Sequence, residues 1–396
     1  MNANLVIAAM VLVGLASSAS ARTWHVAKDG SGDYAVIQDA LDAAASGDTI
    51  RIGPGRFEDF RIYPTNGGDR AIIAKVNVPV MTIIGGGLEE TIIGPVEYSW
   101  ADPEPPTRGI HLIAQPTSGG LHVEEVSVEN LVAGIYVENA GTLSVAGCNL
   151  RNCLYGINAF VSTSAVASSF EECGFGMIVK SPGSLATATD CSFTCYTDGH
   201  TGLQFQGVGT GIAQGCTFTG CIDCNCTGVA FSGAGGGVYD CRFEGLLRPI
   251  YMTSAAYPEI LRNHVTTAGF CLYSNSEAFT AEGNVFQATG PFPVLQLYSR
   301  GLPHTIRGNH ILRGTGLAVE ILTHTGPADY HLDMTGNWWG TTDRDSLAAW
   351  IHDGNDVMWP PGGLVECTVV FEPFADAPIP AKRESLGGLK ALFRGR

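Results

Sequence analysis

Positive charge is scarce in this chain: 22 lysines and arginines stand against 38 aspartates and glutamates, a formal charge of −16. Nucleic acid and anionic lipid both need a cationic surface, so neither is an expected ligand. Charged residues of either sign make up only 15%. Long apolar runs are equally scarce. After the short run Leu5 to Leu15, no segment is apolar enough to span a bilayer.

What the chain has in quantity is glycine, 51 residues, and hydrophobic side chains, 45% of the total. Together they favour many turns around a large core over long helices. The length of 396 residues suits either two domains or one long repeat array. The run Leu5 to Leu15 is followed by Ala19-Ser20-Ala21, an A-x-A cleavage pattern. Residues 1–21 are therefore expected to be a cleaved signal peptide, although Met1 to Asn4 carry no Lys or Arg. That places the protein outside the cytoplasm: secreted, periplasmic or on the cell surface.

A self-similar pattern runs from about Val126 to Trp339. Each unit contains a small polar or thiol residue, one spacer and an apolar residue. It reads Val126-Ser127-Val128, Cys148-Asn149-Leu150, Ser168-Ser169-Phe170, Cys191-Ser192-Phe193, Cys216-Thr217-Phe218 and Cys241-Arg242-Phe243. It continues as Asn263-His264-Val265, Asn284-Val285-Phe286, Asn309-His310-Ile311 and Asn337-Trp338-Trp339. Successive first positions are 22, 20, 23, 25, 25, 22, 21, 25 and 28 apart. A second element opens at Gly134, Gly156, Gly176, Gly202 and Gly228, then near Pro249, Phe270, Val294 and Ala318. Within it apolar residues alternate, as in Ile135 and Val137 or Leu203 and Phe205, which means one face in and one face out.

Short strands, glycine corners and a period near 22 residues predict an all-β fold: a right-handed parallel β-helix whose coils hold three strands each. Equivalent strands of successive coils then pair in parallel around one continuous core. The L-x-x-L-x-L framework of leucine-rich repeats is absent, and a propeller blade needs about 40 residues. Stacking also bears on the twelve cysteines. Cys148, Cys191, Cys216 and Cys241 share one position that Asn263, Asn284, Asn309 and Asn337 continue. Cys153, Cys173, Cys195 and Cys221 form a second row. Buried thiols passing into an asparagine ladder are the leading expectation. Disulfides between neighbouring coils are the second, and a metal site at Cys221, Cys224 and Cys226 the third.

The two ends read as caps. In "WHVAKDGSGDYAVIQDALDAAASGDTIRIGPGRFEDF", Val36 to Ala45 has a helical pattern stopped at Gly47, and Ile50 to Ile52 is a strand. This stretch resembles the N-terminal cap of pectin-lyase-like right-handed β-helix proteins, especially the opening of pectin methylesterases. Near the other end, "GNWWGTTDRDSLAAWIHDGND" followed by "VVFEPF" is similar to the terminal cap of secreted right-handed β-helix repeat proteins. There Thr342 with Asp345 suggests a capping box, with Leu347, Trp350 and Ile351 as the apolar face. Val365 to Phe371 reads as a last strand. Asp353 and Asp356 are candidate calcium ligands, and no other cofactor is implied. The expected organisation is signal peptide 1–21, N-terminal cap and first coil 22–60, parallel β-helix 61–340, C-terminal cap 341–374 and a flexible basic tail 375–396.

The resemblance implies a fold and no activity. The esterase core segments with catalytic glutamine, aspartates and arginine are missing, as are the polygalacturonase sequences N-T-D, G-H-G and R-I-K. "DGHTG" at Asp198 to Gly202 matches G-H-G only superficially, and Arg248-Pro249 is too little for the lyase signature. Position says more. Alternation places Tyr136, Asn158, Phe160, Gln204, Gln206, Tyr251, Tyr273, Gln296, Tyr298 and Arg300 on one outward sheet surface, together with Glu138, Ile178, Lys180, Ala230, Ser232, Thr253, Cys271 and Glu320. Rings offer apolar faces to sugar C–H groups, and amides both donate to and accept from hydroxyls. Two connections before this strand are long, Phe193 to Gly202 and Phe218 to Gly228, and long insertions often form the binding face. They carry Asp198, His200 and Asp223, with Lys180 and Arg248 on neighbouring coils.

Two readings follow. In the first, a non-catalytic exported monomer binds a polysaccharide or cell-surface glycan or serves as a surface element. In the second, a polysaccharide-active lyase, hydrolase or epimerase works through Asp198, His200, Asp223, Lys180 and Arg248, since carboxylates beside a cation suit acid–base chemistry on a sugar. A third and weaker reading is an adhesin-like role in which the coils pack against another protein.

Overall fold

The computed structural model describes residues 21–64, 68–97, 106–113, 119–138, 141–253, 256–275, 278–299, 304–324, 330–354, 356 and 367–380. The expected signal peptide up to residue 20, Arg300 and the basic residues of the tail lie outside the described residues.

The chain winds into about eleven turns and forms three long sheets of 12, 11 and 13 strands. One turn shows the plan. Tyr155–Ala159 lies in the third sheet, Ser162–Val166 in the first and Ser169–Glu171 in the second. The next turn repeats it with Phe175–Val179, Leu185–Thr189 and Ser192–Cys195, each pairing in parallel with its predecessor. Among the described residues, the one antiparallel pair within the three sheets, Arg61–Tyr63 with Arg70–Val76, closes an edge of the third sheet.

Each turn bends sharply between the first and second sheets, and the sequence shows how. The residue ahead of each ladder position has positive φ: Gly147, Ala167, Asp190, Gly215, Asp240, Arg262, Gly283, Gly308 and Gly336 lie between 47° and 70°. A left-handed residue reverses the local curl, and glycine adopts it without a Cβ penalty. The following side chain then points inward. Where it is asparagine, it binds the turn before it. The Oδ1 of Asn284 accepts from the backbone N–H of Asn263 at 2.8 Å and from its Nδ2 at 3.0 Å. Asn309 repeats this for Asn284, and Asn337 for Asn309. Each spare amide proton goes to a backbone carbonyl, as from Asn284 to Ile260 at 2.7 Å. Upstream, Cys241 Sγ accepts from Cys216 N at 3.4 Å, and Ser168 Oγ from Cys148 N at 3.2 Å. The ladder read from the spacing is therefore present, with Ser168 as one of its rungs.

Beside the ladder, Phe170, Phe193, Phe218 and Phe243 stack with ring centroids 4.7 Å apart and planes within 5°. That separation equals the strand spacing, so one residue type repeats in one rotamer turn after turn.

The second thiol row needs a correction. Cys153, Cys173 and Cys195 are free and buried, but Cys226 continues the row, placing its Sγ 3.0 Å from Cys195 O. Cys221 is displaced onto the long connection, where it forms a disulfide with Cys224. The bridge lies within one loop, not between coils, and it removes two of the three thiols that a metal site there would need. Cys271, expected to face outward, is fully buried at the strand entry; the outward row resumes at Tyr273.

The caps follow the sequence with small shifts. The first helix, Ile37–Ala43, buries Ile37 and Leu41 over the first coil. Its Gln38 accepts from Lys75 N at 2.7 Å and donates to Lys75 O at 3.2 Å, satisfying an edge strand with a side chain. The second helix, Arg344–Ala349, is capped by Asp343 and not by Thr342: the Asp343 carboxylate accepts from Ser346 N. Ile351–His352 extends the third sheet, and Cys367–Val370 pairs with Tyr330–Asp333 in a small separate sheet. Asp353 accepts from Val369 N at 2.6 Å, and Asp356 from Asp353 N at 3.0 Å, so both candidate calcium ligands tie the cap together.

Two expectations can be measured. Asn284→Ala strands two donors of Asn263 and should cost about 2–4 kcal/mol in chemical denaturation. Asn284→Cys, which restores the rung used upstream, should cost less; equal losses would contradict the ladder. Burial pushes the Cys148 thiol up to about 11 and Cys195 up to about 12. The ten free cysteines should therefore resist a thiol reagent at neutral pH until the chain is unfolded.

Candidate functional site

The outward side of the third sheet is where side chains of successive turns come into line. Its central column runs Lys75, His111, Tyr136, Asn158, Ile178, Gln204, Ala230, Tyr251, Tyr273, Gln296 and Glu320 by direct register. A parallel column at the strand exits contains Gln206, Ser232, Thr253 and Asn275. The strand entries contribute Arg108, Ala133, Tyr155, Phe175, Thr201, Thr227 and Arg248. The predicted row is thus contiguous, apart from Cys271 and the undescribed Arg300.

Two aromatic groups stand on this surface. In the later coils, Tyr251 and Tyr273 stack at 4.9 Å, Tyr298 meets Tyr273 edge-on at 5.8 Å, and Phe270 lies 6.3 Å from Tyr273. Arg248 is 5.6 Å above the Tyr251 ring. In the earlier coils, Tyr136 and Phe160 are 6.0 Å apart, and Tyr155 stacks on Phe175 at 5.4 Å. The Lys180 ammonium stands 5.8 Å from the Phe160 ring and 5.5 Å from Tyr155, and its pKa is lowered by burial. An open depression of about 240 Å³ lies between Phe160 and the Ser181–Ser184 turn. Between the two groups run Gln204, Gln206 and a Ser232–Thr253 hydroxyl pair at 3.2 Å. At the far end Gln296 donates to Glu320 at 2.6 Å. Five turns separate Tyr136 from Tyr251, roughly 24 Å along the stack.

The earlier group contains residues that sequence reading missed. Arg108 is 8% exposed and His111 1%. Arg108 donates to the His111 ring at 3.1 Å, and its guanidinium lies 3.6 Å from the Tyr136 ring centroid. The Glu138 carboxylate is 3.9 Å from both Arg108 and His111. Burial drives His111 down to about 3, helped by the charges of Arg108, Lys75 and Arg70. Burial also lowers Arg108, against the attraction of Tyr136 and Glu138. Next along the column, Asn158 is 6% exposed and its Oδ1 has no hydrogen-bond partner among the described residues. The signal for Arg108 and His111 was present: Gly109-Ile110-His111 repeats Gly134-Ile135-Tyr136 one coil earlier. It was hidden because that coil precedes the regular ladder spacing.

The proposed acid–base set is only partly assembled. Asp198 and Asp223 are exposed on the two long connections, which stack through Gly199 N to Cys224 O at 2.8 Å. Both lead into the strand entries, where Arg248 also sits. No ion pair joins Arg248 to either carboxylate among the described residues. The His200 ring turns inward and is nearly fully buried, and burial lowers its pKa. Lys180 follows the exit of the Phe175–Val179 strand, whose entry pairs with Thr201. It is therefore roughly 16 Å along the strand from the loop that carries Asp198.

Sheets, coils and corners define a right-handed parallel β-helix. Residues 133–311 match the family model described as the right handed beta helix region. No curated protein matches the sequence. Among solved structures, a mutant DFA-IIIase from Arthrobacter chlorophenolicus A6 in complex with DFA-III aligns over 90% of this chain and 94% of its own, with a TM-score of 0.50 and 12% identity. An alginate lyase from Paenibacillus sp. str. FPU-7 aligns over 68% of this chain and 97% of its own, with a TM-score of 0.46 and 12% identity. At such identities the likeness is one of fold alone.

The neutral, buried histidines should make the fold acid-labile. His304 is also pushed down, to about 4, by burial. Between pH 6.5 and these values the unfolded chain binds protons that the folded chain does not. Stability should therefore be full above pH 6.5 and fall on acidification, by up to about 1.4 kcal/mol per pH unit for each histidine. Denaturation midpoints that stay level from pH 6.5 to 4 would contradict this.

Proposed function

We propose that this is an exported, monomeric β-helix protein that binds a glycan along the outward face of its third sheet. The observation that carries the reading is the pairing of two aromatic groups, around Tyr136 and Phe160 and around Tyr251, Tyr273 and Tyr298, with the amide and hydroxyl side chains between them. A sugar chain presents C–H faces and hydroxyls in alternation. Rings take the first, while Asn158, Gln204, Gln206 and Gln296 exchange hydrogen bonds with the second. Coils stacked at about 4.8 Å hold these groups on rigid strands, so little side-chain order has to be gained on binding. Arg300 belongs to the same proposed surface by sequence position. Export, which would expose this face to extracellular glycans, rests on the N-terminal run Leu5 to Leu15 and the Ala19-Ser20-Ala21 pattern.

A second reading makes the protein a lyase, hydrolase or epimerase acting on the same ligand. The observation in its favour is the gathering of Asp198, Asp223 and Arg248 at the strand entries. Lys180 at the strand exit would then hold substrate and would not take part in the proton transfer.

A panel of pectic, alginate and neutral glycans, followed for both binding and product release, separates the two. Tyr251→Ala combined with Tyr273→Ala should weaken binding at least tenfold while leaving the thermal midpoint within a few degrees; unchanged affinity removes the platform. Product release that disappears in Asp198→Ala or Asp223→Ala would establish the enzymatic reading in place of the first.

A further inference from the structure

The outward face is not electrically uniform. The chain as a whole is strongly acidic, at −16, yet the early coils bring Arg70, Lys75 and Arg108 near one another, with Lys180 two coils beyond Tyr136. The charges of Arg70 and Lys75 reach His111, and that of Arg70 reaches Arg108. The carboxylate among them, Glu138, stands 3.9 Å from Arg108, beyond hydrogen-bond reach. A buried guanidinium is costly unless an anion meets it at close range. Here the near partners of Arg108 are a neutral imidazole and the ring and hydroxyl of Tyr136, and that hydroxyl also meets Glu138. One turn further on, a buried amide oxygen has no donor among the described residues.

We infer that Arg108, His111, Tyr136, Glu138 and Asn158 form a subsite for a sugar unit bearing an anionic group, carboxylate or sulfate. This deepens the glycan reading and rests on it. The anionic group takes the open guanidinium N–H bonds of Arg108, and a ring hydroxyl donates to Asn158 Oδ1. Glu138 accepts from a second hydroxyl, and the Tyr136 and Phe160 rings cover the C–H face. Neutral His111 accepts from Arg108 and fixes the plane of its guanidinium, which makes it a positioning residue. The depression beside Phe160 leaves room for the neighbouring unit of the chain.

The cluster differs from an ordinary buried ion-pair network in two respects. Among the described residues the nearest opposite charge, Glu138, reaches Arg108 at hydrogen-bond range only through the Tyr136 hydroxyl, and the unsatisfied Asn158 Oδ1 is an acceptor on the outer side of the sheet. A network closed within the chain would place a donor on that oxygen and an anion directly on the guanidinium.

The test uses the full-length chain in affinity electrophoresis through gels containing polygalacturonate, its methyl-esterified form, dextran sulfate or dextran. Retardation is expected in the charged polymers, at least tenfold stronger than in the matching uncharged ones, and declining with added salt. Preference for polygalacturonate identifies a carboxylate, and preference for dextran sulfate a sulfate. Arg108→Met keeps an unbranched apolar stem but removes the guanidinium that lies over Tyr136, and should abolish the charge preference. Asn158→Leu removes the orphan oxygen, so it should leave the thermal midpoint equal or higher while weakening retardation about tenfold. A purely structural role predicts the reverse for Asn158→Leu. Equal retardation by charged and uncharged polymers, unaffected by Arg108→Met, overturns the subsite but leaves the aromatic platform standing. No retardation by any of the four overturns both.

Discussion

Everything in this molecule depends on the bend between its first and second sheets. A strand that ran straight on could pair with its neighbours but could not return to the axis. The left-handed residue before each ladder position turns the chain, and the ladder side chain then engages the turn before it. The two steps are coupled. Where the inward residue is asparagine, one oxygen accepts two donors and one amide supplies two, so neighbouring coils are held at one separation. Non-glycine residues at several of these bends, Ala167 and Arg262 among them, carry a conformational cost that the coil-to-coil bonding offsets.

A fixed coil separation has a consequence for the outside. Because the backbone repeats at the strand spacing, side chains far apart in sequence become neighbours in columns. Tyr136 and Tyr251 are separated by more than a hundred residues but lie on the same line. A parallel sheet therefore turns the composition of one strand position into the chemistry of a surface. On this surface it yields rings, amides and, toward the early coils, a concentration of cations. In a chain so rich in acid, that local field would draw anions toward one place and repel them from most others.

Inside, the asparagine rungs satisfy one another, and the thiols of the upstream rungs find carbonyls, as Cys148 does with Val123 and Ala146. On the outer face, among the described residues, Asn158 Oδ1 has no hydrogen-bond partner and Arg108 has no anion within direct hydrogen-bond reach, while Trp339 Nε1 and the His304 ring nitrogens are unpartnered elsewhere. The proposed subsite for an anionic sugar rests on the first two, because Arg108 and Asn158 lie on neighbouring columns of one outward face.

Periodicity alone determined the coil, the three-strand turn, the thiol-to-asparagine ladder and the outward column, because each depends on residues recurring at the same place in every turn. The caps were legible within a residue or two, since helix stops and apolar faces are local signals; Asp343 displaced Thr342 as cap because a carboxylate one position on met the Ser346 amide. Only the tertiary structure decided the exceptions. Cys226 replaced Cys221 in the thiol row because the long connection loops outward before returning to the core. Cys271 turned inward at a corner that simple alternation could not locate. The pairing of Arg108 and His111 with Tyr136 and Glu138 was decided by register across coils of unequal length. A strand's own sequence tells which way its side chains point, but which side chains of other coils stand beside them depends on the lengths of all the loops between.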